Sequence, residues 1–249
     1  MWLTLCLLLC LTEARPTQQP PSGAAPQQPG AGRRAPVPDD DAGFLAIFDG
    51  RTLKDWDGDP AFWRVENGAI VAESTPEKVV RQNTFLIWQG GKLADFELKL
   101  EFRLSEAANS GVQYRSVRVP ELGPWAMRGY QADIDGRHTF TGMVYEERGR
   151  GFLAPRGQIA RVSEDGTRKL IGSPGDPDTL RTFLKAEDWN QLHIIARGNV
   201  LVHLVNGRLM SLLVDEDPKG RSLEGLLGLQ LHAGKPMRVE FRNILLRRL

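Results

Sequence analysis

Three short stretches of this chain alternate amides and ionisable groups with apolar residues. In residues 109–115 (NSGVQYR), Gln113 and Arg115 alternate with Val112 and Tyr114. In residues 129–135 (GYQADID), Gln131, Asp133 and Asp135 alternate with Tyr130, Ala132 and Ile134, and in residues 229–232 Gln230 and His232 alternate with Leu229 and Leu231. Successive side chains of an extended strand point to opposite faces, so each stretch has one polar and one apolar face. A solvated outer sheet surface would give the same period. The residue types argue for more, because Gln, Arg, Asp and His hold directed hydrogen bonds and include both acids and bases, where a merely wet face favours Lys, Glu and Thr. The set suits a concave, ligand-binding face able to move protons.

Residues 141–158 (TGMVYEERGRGFLAPRGQ) set Glu146 and Glu147 beside Arg148 and Arg150 in a glycine-flanked stretch that reads as a loop at the sheet edge. Alternation sends the two glutamates to opposite faces, so at most one reaches a shared site, and the sequence does not choose between them. Trp125, in the Pro/Gly-rich loop LGPWAMRG, is the best candidate for an aromatic sugar platform. His193 and His203 fall within the LHIIAR and VLVHLV strands and are assigned to packing or exposure rather than chemistry. Asp133, Asp135, His138 and His232 could supply oxygen and nitrogen to a divalent cation, but their spacing is not diagnostic, so metal ligands stay unassigned and no cofactor is required.

The elements that must position these groups are strands. Residues 95–104 (DFELKLEFRL) alternate without a break, and turn pairs recur at Asn67-Gly68, Asp165-Gly166, Gly198-Asn199 and Asn206-Gly207. Only residues 178–187 read as helical. About a dozen short strands with closely spaced turns predict an all-β fold of two packed antiparallel sheets, a jelly-roll sandwich. The chain has no glycine-rich phosphate loop, no HExxH and no G-x-S-x-G.

Composition narrows the function classes. Across 249 residues, 32 Lys and Arg meet 31 Asp and Glu for a net charge of +1, with no polybasic run, which argues against a nucleic-acid partner. Residues 2–11 (WLTLCLLLCL) are too short to span a bilayer and have the length of a signal-peptide core, with an A-x-A-like cleavage site at residues 12–14. Residues 1–14 therefore read as an export signal, placing the chain in the periplasm or outside the cell, with a lipid anchor on Cys10 as the alternative. Both cysteines, Cys6 and Cys10, lie in this leader. Residues 15–42 read as a disordered Pro/Gln/Gly-rich tether and residues 43–249 as the folded body.

The order of FDGRTLKDW, WRVENGAI, DFELKLEFR, NSGVQYR, GYQADID, TGMVYEERGRG, WNQLHIIARG, VNG, GLQLH and FRNILLRRL resembles the 3-keto-disaccharide hydrolase domain over residues 43 to 249. The resemblance implies a concanavalin A-like lectin/glucanase jelly roll, exported, acting on glycosides whose sugar carries a 3-ketone. Asn109, Arg115 and His232 match the family pattern. Where many members have G-Y-E-x-Q-I-x-D, this chain has Gln131 and Asp133, so a catalytic role for the Glu position does not carry over. A 3-ketone acidifies the C2 hydrogen, so a base can remove it, the C1 oxygen can leave and water can add. On that chemistry Asp133 is the expected base, Arg115 with His138 or a metal stabilises the enolate, and Glu146 or Glu147 is the acid. Asn109, Gln113, Gln131, Asp135, Tyr145, Trp125, Gln230 and His232 are the expected carbohydrate contacts. Two other function classes fit the same residues: a non-catalytic, lectin-like carbohydrate-binding module, and a structural role at the cell surface.

Overall fold

The computed structural model describes residues 41–249. The expected export signal and nearly all of the expected tether lie outside the described residues. The chain forms β1 (Leu45–Ala46), β2 (Trp56–Asp57), β3 (Trp63–Glu66), β4 (Ala69–Ser74), β5 (Thr84–Trp88), β6 (Phe96–Leu104), β7 (Asn109–Arg118), β8 (Met127–Asp135) and β9 (Val144–Glu147). Then follow β10 (Gly151–Ala154), β11 (Gln158–Val162), β12 (Arg168–Gly172), the short helix α1 (Pro177–Arg181), β13 (Asn190–Arg197), β14 (Val200–Val205), β15 (Arg208–Asp215), β16 (Leu226–Leu231) and β17 (Met237–Arg248).

The strands make two sheets. One runs β12-β11-β15-β14-β13-β6-β17-β4-β3 with β1 added on β17, and the other runs β10-β9-β8-β7-β16-β5-β2. All four turn pairs join neighbouring antiparallel strands, and the left-handed backbone at Asn67 (φ 51°) and Asn206 (φ 50°) shows why those positions carry asparagine. The two sheets bury their apolar faces against each other: Phe96, Leu98, Leu100 and Phe102 of β6 meet a layer that includes Val112 and Tyr114 of β7 and Leu229 and Leu231 of β16. Phe96 and Tyr114 pack edge to face with ring centroids 5.8 Å apart. Each such side chain contributes roughly 1.5–3 kcal/mol by leaving water.

Within this layer Tyr114 and His203 partner each other. His203 donates from Nδ1 to the Met143 carbonyl (3.2 Å), which can only accept, so its Nε2 takes the Tyr114 hydroxyl proton at 2.8 Å. Burial holds that imidazole neutral, down at about 4.

Two details differ from the sequence reading. The pairing of β11 with β15 is parallel, so one sheet is mixed. The helix stops at Arg181 rather than 187: Asp176 caps Thr179 N at 2.8 Å, but the Thr182 hydroxyl turns back to the Thr179 carbonyl, and the Asn190 side chain takes both the N–H and the carbonyl of Lys185.

Candidate active site

On the outer face of the seven-stranded sheet lies an open cavity of about 410 Å³. Strand β8 sends Gln131 and Asp133 into it, β7 sends Asn109, β16 sends Gln230 with His232 just beyond its end, and β9 sends Tyr145 and Glu147. Asn83, Phe140, Arg148 and Phe152 complete the lining from neighbouring loops and strands. A larger cavity, about 480 Å³, lies on the other sheet, where Lys99 is tied to Asp41 and Glu101 to Arg242.

A relay of amides crosses the floor. Gln230 Nε2 donates to Gln131 Oε1 at 2.9 Å, and Gln131 Nε2 donates to Asp133 Oδ1 at 2.5 Å. Strands β16 and β8 are separated by β7, a span of roughly 10 Å between backbones. The Gln131 side chain bridges it by lying over Gly111, where a Cβ would sit 2.3 Å from the Gln131 amide carbon. Gly111 is thus glycine because another side chain occupies its outer face. The Gln230 Oε1 atom is buried without a partner, as is Gln113 Oε1 beneath the same face.

Burial pushes the Asp133 carboxyl up to about 7; the Gln131 hydrogen bond opposes this, and the charges of Asp135 and Glu147 reinforce it. His232 Nδ1 lies 2.6 Å from the Ala233 carbonyl, an acceptor only, so Nδ1 carries a proton and, in the neutral ring, Nε2 is the nitrogen with the lone pair. Glu147 accepts from Asn83 Nδ2 at 3.0 Å and pairs with Arg148, while Asn83 Oδ1 accepts from Ala233 N at 3.0 Å. The cavity thereby places a poised carboxyl, an imidazole lone pair, a carboxylate–guanidinium pair and several amides on one surface. Tyr145, Phe152 and Phe140 form an aromatic wall, with centroids 5.0 and 5.4 Å apart along the series.

Six of the expected site residues lie outside this lining. Arg115 leaves the face of Gln113 because β7 carries an extra residue between Tyr114 and Val117, and Arg115 takes the left-handed φ of 47°. Its buried guanidinium instead ties the sheets together through the Ala94 carbonyl (2.8 Å), the Gly198 carbonyl (2.6 Å) and Asp95 (3.1 Å). Glu146 faces away from Glu147, as alternation requires, and holds Arg150, which continues to Asp215. His138 is buried in the loop after β8 and does not line the cavity. Asp135 is fully occupied by the N–H groups of Thr139, Phe140 and Thr141, and so orients the loop that carries Phe140. Trp125 donates to Asp57 at 2.8 Å and lines a neighbouring groove with Phe62 and Val79, meeting the cavity at Asn83. Gln113 lies on the expected face but is wholly buried and outside the lining.

The sequence reading did not single out Asn83, Phe140, Arg148 or Phe152 as site residues. Asn83 arrives from a loop with no strand pattern; the Glu-Glu-Arg run was the available signal for Arg148. Among the described residues no three His, Cys, Asp or Glu side chains cluster as a metal site, and no helix is long and apolar enough to cross a membrane.

Residues 43–247 match the family described as the 3-keto-alpha-glucoside-1,2-lyase-like domain. The chain belongs to this family. A 3-keto-disaccharide hydrolase of Bacteroides thetaiotaomicron is 30% identical over 190 residues, which is 67% of this chain and 57% of that protein. The chain thus spans little more than half the length of that relative. Among solved structures, a presumed glycosyl hydrolase from Parabacteroides distasonis aligns with a TM-score of 0.55 at 17% identity, covering 83% of this chain and 94% of that one. A Bacillus subtilis protein of unknown function with a galectin-like fold aligns at 0.52 and 13% identity, covering 79% and 90%. These two likenesses concern the fold, the concanavalin A-like jelly roll. In this chain the polar cavity opens on the outer face of the β8-bearing sheet.

Proposed function

We propose that this chain is an exported enzyme that cleaves glycosides whose sugar has been oxidised to a ketone at C3. The supporting observation is Asp133, a buried carboxyl whose proton affinity lies near neutrality within a cavity lined by further acid, base and amide groups. In this reading Asp133 takes the C2 proton, and the C2–H electron pair forms an enolate with the C3 oxygen. Arg148 and the amides of Asn109 and Gln131 face the developing negative charge. When the enolate collapses, the C3 carbonyl re-forms, a double bond forms between C1 and C2, and the C1–oxygen bond breaks. The leaving oxygen takes a proton from an acid of the cavity, Glu147 or the conjugate acid of His232. Addition of water across C1 and C2 then gives the free 3-keto sugar. The apolar run at residues 2–11 is what supports export.

The decisive assay compares release of the aglycone from a 3-keto-glucoside and from its unoxidised parent, with and without chelator, and follows deuterium entering C2 of unreacted substrate in heavy water. Turnover of the ketone alone, with exchange at C2, is the expected result. Binding of both sugars without turnover would make the chain a lectin-like module.

A further inference from the structure

Around the β9–β10 hairpin from this cavity, one end of the sandwich holds a second cavity of about 360 Å³. It lies between the start of β8, the hairpin and residues 219–222, and its lining is dominated by cations, with Glu146 as the only carboxylate among the lining residues. The cations are not equivalent. Arg150 is fully engaged on the inner side by Glu146, Asp215 and Asp217, and the Arg115 guanidinium is turned into the sandwich. Arg148 is paired with Glu147.

Arg128, Lys219 and Arg221 differ from these: among the described residues none of them has a carboxylate at ion-pair distance, although Lys219 acts on Asp217 through space. Three cations without a carboxylate at ion-pair distance around one concavity repel one another, and an anion entering there lowers that repulsion. Arginine is suited to that anion when it is a planar or tetrahedral oxyanion, which it can grip through two N–H groups. The position matters as much as the charge, since Arg148 lines both this cavity and the proposed active site. One side chain thus borders both cavities.

We propose that this basic cavity is a subsite for an oxyanion group, a carboxylate or a sulfate ester, carried on the part of the glycoside beyond the sugar that is cleaved. The inference rests on the glycoside-cleaving reading above and names its substrate class: 3-keto-glycosides with an acidic leaving portion.

The test uses the full chain and three 3-keto-glucosides that share one leaving-group skeleton: neutral, carboxylated and sulfated. The expected result is a KM about tenfold lower for at least one acidic substrate, an advantage that shrinks as salt is raised towards about 0.2 M. The doubly substituted Arg128→Gln, Arg221→Gln protein should lose that advantage while keeping the kcat and KM of the neutral substrate, and the Arg128→Lys, Arg221→Lys protein should keep most of it. The better of the two acidic substrates identifies the oxyanion. Equal KM for neutral and acidic substrates, or an advantage that survives in the glutamine variant, overturns the proposal. If none of the three is turned over, the cleavage reading has failed, and calorimetry decides the subsite separately. Tighter binding of the acidic than the neutral glucoside, abolished in the glutamine variant, upholds the subsite; equal binding overturns it.

Discussion

The two sheets of this protein both turn an outward face to solvent, and the two faces solve the same problem differently. On the ten-stranded sheet, charges stand directly opposite each other across β6 and β17: Arg103 meets Glu240, Glu101 meets Arg242, and Glu97 meets Arg247. Each charge is answered by its neighbour on the next strand, which is the ordinary way an exposed sheet is made soluble and kept in register. On the seven-stranded sheet the corresponding positions hold Gln, Asn, Asp and His. There the groups form a directed relay whose ends stay open, at the Gln230 carbonyl oxygen, the Asn109 amide and the second oxygen of Asp133. One face has used up its capacity to interact; the other retains it.

The largest test of this contrast is Asp133→Asn. Asn keeps the shape and can still accept from Gln131, but it cannot take a proton, so kcat/KM on a 3-keto-glucoside should fall by about 10²–10⁴. The same substitution should make the fold more stable at pH 8. The folded carboxyl holds its proton up to about 7, whereas the ordinary value is 3.8, so between those values the folded state is the proton-rich one. Stability therefore falls as pH rises from about 4 to 7 and is level above, a cost on the order of 4 kcal/mol at most. Thermal melting of both proteins at pH 5 and pH 8 measures it: the variant should gain at the higher pH and little at the lower, and a variant less stable at pH 8 would contradict the assignment.

Next in size is the pH dependence of the native protein. With Asp133 required as the carboxylate, kcat/KM should rise with pH to a plateau, with a midpoint near 7. A flat profile between pH 5 and 8 would remove Asp133 as base. Gly111→Ala comes third. The new methyl would meet the Gln131 side chain and break the relay while leaving Asp133 in place. About a tenfold loss in kcat is expected, together with a lower melting temperature, because the displaced Gln131 side chain is buried and loses both of its hydrogen bonds. The smallest effect belongs to the other face. Arg242→Ala should cost no more than about 1 kcal/mol, because its pair with Glu101 is partly exposed, and should leave turnover unchanged.

Much of this site was readable because a two-residue period is rigid. Once Val112, Ala132 and Leu229 were assigned inward, Gln131, Asp133 and Gln230 had to face outward, and the turn pairs fixed which strands were neighbours. The period failed at Arg115, where a single inserted residue reverses every later side chain, and nothing in NSGVQYRSV marks the insertion. Gly129, opposite the bulge, was the one available hint: its φ of 145° and the closeness of Ser116 leave no room for a Cβ. His138 and Trp125 were misplaced for a different reason. They lie in loops, where no period says which way a side chain points. Asn83 was invisible because it joins the cavity from a loop distant in sequence, and Phe152 because the pairing that sets it opposite Tyr145 on the β9–β10 hairpin is not marked by any turn pair.

The place of β17 in the sheet order has a further consequence. This strand follows all the others of the sandwich in sequence, yet it lies between β6 and β4, more than a hundred residues upstream, and carries β1 as well. Until it inserts, β6 and β4 each present an unpaired backbone edge beside a largely apolar face. Folding must therefore wait for contacts of very long sequence separation, which makes it slow and leaves the nascent chain prone to associate through those edges.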